Sequence, residues 1–120
     1  MKKFYAEHEI VHCVDTPQHN GRVERKHKHI VTIARALRFQ VSLPLEFWGE
    51  CILFAVYLIY RTPTIILHGK TPYEVLSKAK PTYDHIKTFG CLCYAHNFQR
   101  SKDKFASQSR GCIFIGYPYG

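Results

Sequence analysis

The spacing of apolar positions predicts three helices followed by a β-rich tail. From Gly21 to Phe39 apolar residues recur at helical intervals. At about 100° per residue, Val23, His27, Ile30, Ile33, Ala34 and Leu37 share one face. Glu24, Lys28 and Arg35 line up along the border of that face, while Arg25 points away from it. Leu45 to Tyr60 is apolar nearly all round, which predicts a helix buried on most sides. Ser42 and Pro44 mark its start, because serine caps orphan amides and proline is tolerated in a first turn. Arg61-Thr62-Pro63 ends it. Thr71-Pro72-Tyr73-Glu74 has capping-box spacing with proline at the first helical position, opening a short helix that runs to Lys78.

The period then changes. Lys80-Pro81-Thr82-Tyr83-Asp84 reads as a linker. Beyond it Thr88 to His96 and Gly111 to Tyr117 are β-rich, separated by the charged loop Arg100-Ser101-Lys102-Asp103-Lys104. Two such strands begin a small β module and cannot stand alone. Ahead of the first long helix, Phe4, Ile10 and Val11 predict a short helix end and then a strand. Asp15-Thr16-Pro17 begins a turn, and Asn20-Gly21 is a helix-entry signal. No internal repeat or low-complexity segment interrupts this order.

Composition narrows the class. With 46% hydrophobic and 14% aromatic residues, the chain carries enough apolar side chains for a globular core. Its 120 residues suit one domain, or part of one with an appendage. The longest wholly apolar run, Cys51 to Tyr60, is shorter than the ~20 residues of a membrane span. The stretch Met1-Lys2-Lys3-Phe4-Tyr5-Ala6-Glu7-His8 lacks the apolar run of a secretory signal. Five cysteines, an odd number, fit free thiols in a reducing compartment.

Charge changes the picture more. The formal charge of +8, from 17 Lys and Arg against 9 Asp and Glu, favours nucleic acid or an anionic membrane as partner. The helix from Gly21 to Phe39 concentrates that charge. Arg22, Arg25, Lys26, Lys28, Arg35 and Arg38 stand there against Glu24 alone, a net of +5. Such a face is either solvated or makes sequence-insensitive contacts to a nucleic-acid backbone. Lys26 falls nearer the apolar stripe, where its stem can lie along the surface.

Glu24 has two readings of its own. A carboxylate in a first helical turn is stabilised by the macrodipole by roughly 0.3–1 kcal/mol. Alternatively it is one ligand of a two-metal phosphoryl-transfer centre, which needs several carboxylates because hard cations take oxygen ligands. Lys28, one turn beyond on the same side, could then reach a phosphate beside the metal. Other candidate ligands are weaker. His8 with His12, His27 with His29, and Cys91 and Cys93 with His96 all lack the paired spacing of structural zinc. Cys91 and Cys93 alternate with Leu92 and would pack on one strand face as small apolar groups. His27 reads as a packed core histidine. Leu45, Phe47 and Trp48 read as core rather than ligand pocket. No phosphate-binding glycine loop, Ser-His-Asp arrangement or catalytic-cysteine context is present.

One run does more than these. Thr16-Pro17-Gln18-His19-Asn20-Gly21-Arg22-Val23-Glu24-Arg25-Lys26-His27 resembles the TPQ-x-NG-x-x-ERK signature of copia-type retrotransposon integrases, which belong to retrovirus-related Pol polyproteins. Ala34-Arg35-Ala36-Leu37, Leu43-Pro44-Leu45-Glu46-Phe47-Trp48, Tyr60-Arg61-Thr62-Pro63 and Lys70-Thr71-Pro72-Tyr73-Glu74 continue the resemblance in order. Phe89-Gly90-Cys91 and Gly116-Tyr117 extend it over essentially the whole chain.

The resemblance implies an α/β fold. Residues 1–80 would be the C-terminal part of a truncated RNase H-like integrase core with its helical extension. Residues 81–120 would be the incomplete start of a small β-barrel-like module. It implies metal-dependent transfer of a DNA 3′-end into target DNA, using two aspartates and a glutamate with Mg²⁺ or Mn²⁺. Glu24 matches the glutamate and would be the catalytic metal ligand; Lys28, Arg25 and Arg35 would contact DNA. Both aspartates of the family lie earlier than the 23 residues that precede Glu24, and so does its zinc-binding module. Asp15 occupies a position usually held by another residue type. The fragment is therefore expected to bind no metal and to be inactive alone. Retrotransposon ends and target DNA would be the partners, with no membrane, a nuclear location and an oligomeric intact integrase. The alternative is a non-catalytic DNA- or protein-binding remnant acting through the basic helix 21–39.

Overall fold

The computed structural model describes residues 21–98 and 105–118. The expectations for Phe4, Ile10, Val11, the Asp15 turn and the loop from Arg100 to Lys104 lie outside these residues. The amphipathic stretch forms helix α1, Gly21–Val41, two residues longer than its apolar pattern. Ser42 closes it. The Ser42 backbone is left-handed, with φ 54°. Its N–H donates to the Phe39 carbonyl at 3.3 Å, and the Leu43 N–H donates to the Arg38 carbonyl at 3.1 Å. That pair of bonds is a Schellman stop, which satisfies carbonyls left over at a helix end. Ser42 is thus the end of α1 and not the cap of the next helix. The Arg38 Nε also donates to the Leu43 carbonyl at 3.1 Å, which ties the turn down.

The next helix enters through a 3₁₀ turn, Leu45–Phe47, preceded by Pro44 with no side-chain cap. Helix α2 then runs Trp48–Arg61. Thr62 stops it in an extended conformation, φ −94° and ψ 126°, as the residue before a proline prefers. A second 3₁₀ turn, Ile65–Leu67, leads to α3, Pro72–Ser77. Thr71 caps α3 as its spacing requires: its Oγ1 accepts the Glu74 N–H at 3.0 Å, and Pro72 opens the first turn.

Helices α1 and α2 pack against each other where their side chains are small. Ala34, Leu43, Cys51, Phe54, Ala55 and Phe89 form the buried cluster. The side of α2 facing inward carries Cys51, Phe54, Ala55 and Ile59. Its other side is open: Trp48, Leu53 and Tyr60 are exposed, Trp48 by 61%, and so is Leu45 in the 3₁₀ turn before it. The expectation that this helix is buried on most sides therefore fails. Periodicity measures how apolar a helix is, and the described residues cover only one side of it. The apolar stripe of α1 likewise outruns its partner. Val23 is 66% exposed and His27 is exposed, so His27 is not a packed core histidine.

The 23-residue stretch Leu45–Leu67 is long and apolar enough to cross a membrane by length and composition alone. Its one continuous α-helical portion has 14 residues, about 21 Å at 1.5 Å per residue, short of a ~30 Å hydrocarbon core. Four residues of that portion belong to the buried interior, as they would in a core helix.

The tail forms an antiparallel hairpin of β1, Leu92–His96, and β2, Ser109–Ile113. Leu92 lies opposite Ile113, Cys93 opposite Cys112 and His96 opposite Ser109. Both strands are displaced from or shorter than the β-rich runs, because the residues at the hairpin base turn inward instead. Phe89 is buried, and Phe54 gathers the rings of Phe89, Phe114 and Tyr117 at centroid distances of 5.1, 5.9 and 6.4 Å. The connecting stretch is tethered as well. The Tyr83 hydroxyl donates to the Arg61 carbonyl at 2.9 Å, and the Tyr57 hydroxyl meets His85 Nε2 at 2.7 Å. Residues on both sides of position 80 therefore meet in one core.

Candidate nucleic-acid interface

Glu24 stands exposed in the first turn of α1. The helix N-terminus concentrates partial positive charge from unpaired amides, which favours a carboxylate there. Lys28 follows one turn later, about 6 Å along the axis, and is exposed; Arg35 is exposed two further turns along. These three form one strip, as their angular positions predict. Arg25 is exposed too, about 100° round the helix from Glu24. The Ala34 end of α1 is anchored in the core, so the strip projects from a fixed helix. Within it the Thr32 hydroxyl donates to the Lys28 carbonyl at 2.8 Å.

Arg38 behaves differently. It is half-buried, its Nε is committed to the Leu43 carbonyl, and its guanidinium lies 5.3 Å from the Phe39 ring centroid. It is a structural cation. Arg61 is another, which sequence reasoning took only as a helix end. Its guanidinium sits 3.7 Å from the Tyr57 ring centroid and 4.9 Å from that of Tyr73. This sandwich joins α2 to α3 and gives the Tyr60-Arg61-Thr62-Pro63 run a packing role. Tyr57 is one helical turn before Arg61 and so within local reach, whereas Tyr73 lies beyond the end of α2, where no local pattern shows the contact.

Beside the cationic strip runs a groove between α1 and α2, of about 520 Å³. His27, Ile30, Val31 and Arg35 line it from α1; Trp48, Ile52 and Val56 line it from α2, and Leu45 from the 3₁₀ turn before it. Arg35 thus borders both the strip and the groove. The sequence did not disclose the groove, because it follows from the open side of α2.

Metal binding has a limited basis here. Among the described residues no group of three His, Cys, Asp or Glu side chains could hold a metal ion. Glu24 supplies one oxygen-ligating side chain at the helix entrance. A single exposed carboxylate does not satisfy the several oxygen ligands that Mg²⁺ demands, so the described residues do not fit a metal centre by themselves. Asp15, His8, His12 and the run from Thr16 to Asn20 lie outside the described residues.

The thiols divide into two environments. Cys51 is buried in the core, and burial pushes its thiol pKa up; nearby Glu50 adds to the rise, while Arg38 opposes it. Cys91, Cys93 and Cys112 are free and half-buried on the hairpin. The alternation of Cys91 and Cys93 was legible, but the placement of Cys112 across from Cys93 required the strand register.

Comparison with known proteins places this geometry in context. The chain is 38% identical over 118 residues to the retrovirus-related Pol polyprotein from transposon RE1 of Arabidopsis thaliana, a match covering 96% of this chain and 8% of that protein. It is 38% identical over 120 residues to the corresponding polyprotein from transposon TNT 1-94 of Nicotiana tabacum, covering 98% of this chain and 9% of that protein. An uncharacterized mitochondrial protein of Arabidopsis thaliana is 30% identical over 67 residues, 56% of each chain. The chain therefore spans less than a tenth of the length of the polyproteins it matches. No family model matches it, and no solved structure gives a significant match.

Proposed function

This chain belongs to the retrovirus-related Pol polyproteins of copia-type transposons, as a short segment of one, and we propose that the segment is the C-terminal part of the integrase catalytic core with the start of the module that follows. On this reading α1 to α3 are the closing helices of an RNase H-like α/β core. The open apolar side of α2 and the exposed Val23 support that assignment, since they offer surface for further chain to cover. The parent activity is metal-dependent joining of a DNA 3′-end to target DNA. Transposon ends and target DNA are the partners, and the nucleus is the place of action.

The observation that carries the reading is the strip itself. A carboxylate of the residue type and motif that the integrase family uses stands exposed beside Lys28 and Arg35 on an anchored helix. Glu24 would serve as one metal ligand where the other carboxylates are supplied, and the metal would there polarise the reacting oxygens. Lys28, Arg25 and Arg35 hold DNA phosphates, positioning the duplex without reading its sequence. Among the described residues Glu24 is the one carboxylate on the strip, and the 120-residue chain by itself is expected to be catalytically inert.

Fluorescence anisotropy with a labelled duplex across a salt series tests the DNA contact. Each phosphate neutralised contributes about −0.9 to the slope of log K against log salt. Replacing Lys28 and Arg25 together by alanine should flatten that slope by about 2. Binding without a salt slope, or a slope untouched by the double substitution, removes this role for α1.

A further inference from the structure

We propose that Cys93 and Cys112 form an oxidisable pair, a reversible disulfide modification site that pins the two strands of the hairpin. The register sets Cys93 directly opposite Cys112. Directly opposed residues project to the same face of a sheet. Flanking bonds fix what kind of pair this is. The Phe114 N–H donates to the Cys91 carbonyl at 2.8 Å, and the Asn97 N–H donates to the Gln108 carbonyl at 2.9 Å. Both bonds run between residues that the register places directly opposite each other, and hydrogen-bonded pairs recur at every second position of an antiparallel ladder. Cys93 and Cys112 therefore belong to the same set. Their Cα atoms stand about 5.5 Å apart, inside the range that disulfides most often span.

Both thiols are free and half-buried, so they sit within reach of a small oxidant. The Cys112 thiol donates to the Arg110 carbonyl at 3.5 Å, on its own strand. Arg110 lies two residues away on the same face and favours the approach of an anionic reagent. The competing thiols are worse placed. Cys91 is opposite Phe114 rather than another cysteine, and Cys51 is buried in the core. A hydrogen-bonded pair holds its Cβ atoms farther apart than the ~3.8 Å of a relaxed disulfide. Closing the bond draws the strands together and strains it, and strained bonds are the readily reduced ones. The pair is thereby a switch and not a permanent staple.

The oxidant is a low-molecular-weight disulfide such as glutathione disulfide. The Cys93 thiolate attacks one of its sulfurs, forming a mixed disulfide and releasing one glutathione thiolate. The Cys112 thiolate then attacks the Cys93 sulfur, closing the protein disulfide and releasing the second. The two cysteine protons pass through solvent to the two glutathione thiolates. The protein loses two electrons and the reagent gains them.

The test oxidises the Cys13→Ser chain with glutathione disulfide, then maps the bridged peptides and the intact mass. The expected product has lost two thiols and two hydrogens, with Cys93 joined to Cys112. Cys91→Ser should leave that outcome unchanged. Cys93→Ser and Cys112→Ser should instead retain a glutathione adduct on the remaining partner. Repeating the oxidation in concentrated urea separates register from mere sequence proximity: the selectivity for Cys93 with Cys112 should vanish there. A bridge involving Cys91, an intermolecular product alone, an unreacted pair, or the same selectivity in urea each overturns the proposal.

Discussion

Replacing Gly90 by alanine should cost this small molecule most of its stability, for two separable reasons. Gly90 has φ +79°, a region where a Cβ is strained, at roughly 1–2 kcal/mol for an ordinary residue. It also lies against the end of α1. A Cβ built there would stand 2.3 Å from Val41 Cγ2 and 2.5 Å from Cγ1, where carbon atoms pack comfortably at about 3.5–4.0 Å. The Val41 side chain is β-branched and has few rotamers to escape into, so overpacking adds about 1–3 kcal/mol. The sum, about 2–5 kcal/mol, rivals the stability of a marginal domain. Urea denaturation followed by far-UV circular dichroism reads the loss. The decisive comparison uses Val41→Ala, which removes both clashing methyl groups and leaves the backbone strain. In that background Gly90→Ala should cost about 1–3 kcal/mol less than in the parent. An equal cost in both backgrounds refutes the contact between the hairpin base and α1. A cost near zero in the parent refutes the backbone geometry as well.

Three further outcomes follow from single side chains. Thr71→Ala removes the acceptor for the Glu74 amide at the start of α3 and should destabilise by about 1 kcal/mol in the same denaturation assay. Ser42→Gly relieves a left-handed serine at the end of α1 and should raise stability by about 1 kcal/mol. The Cys51 thiol is pushed above its ordinary value of 9.0 by burial. Its contribution is fully present below pH 9.0 and is lost as pH rises further, because the unfolded chain releases that proton first. Denaturation midpoints of the parent and of Cys51→Ala should therefore converge as pH rises above 9.0; midpoints that keep their separation contradict the burial.

How far the sequence disclosed this structure depends on the range of the forces involved. The α1 strip was legible because angular position on a helix is local arithmetic, and Glu24, Lys28 and Arg35 do share one side. Thr71 and Pro63 were legible because caps and proline act on their immediate neighbours. Ser42 misled because the same serine can start one helix or stop another. The choice fell to the backbone bonds that Leu43 makes on its way into the core. Helix α2 misled because its composition reports apolarity and not coverage. The ring cluster around Phe54, the Arg61 sandwich and the pairing of Cys93 with Cys112 all join residues distant in sequence. No local pattern encodes them.

On the function we propose, Glu24 is one metal ligand and its partner ligands come from a longer polyprotein. The direct measurement places these 120 residues in the matching stretch of the RE1 polyprotein and follows joining of a labelled transposon end to target DNA in Mg²⁺ or Mn²⁺. The grafted protein should join ends, the Glu24→Gln version should not, and the 120-residue chain alone should show nothing. Joining that survives Glu24→Gln contradicts the claim, and so does joining by the separate chain that depends on Glu24.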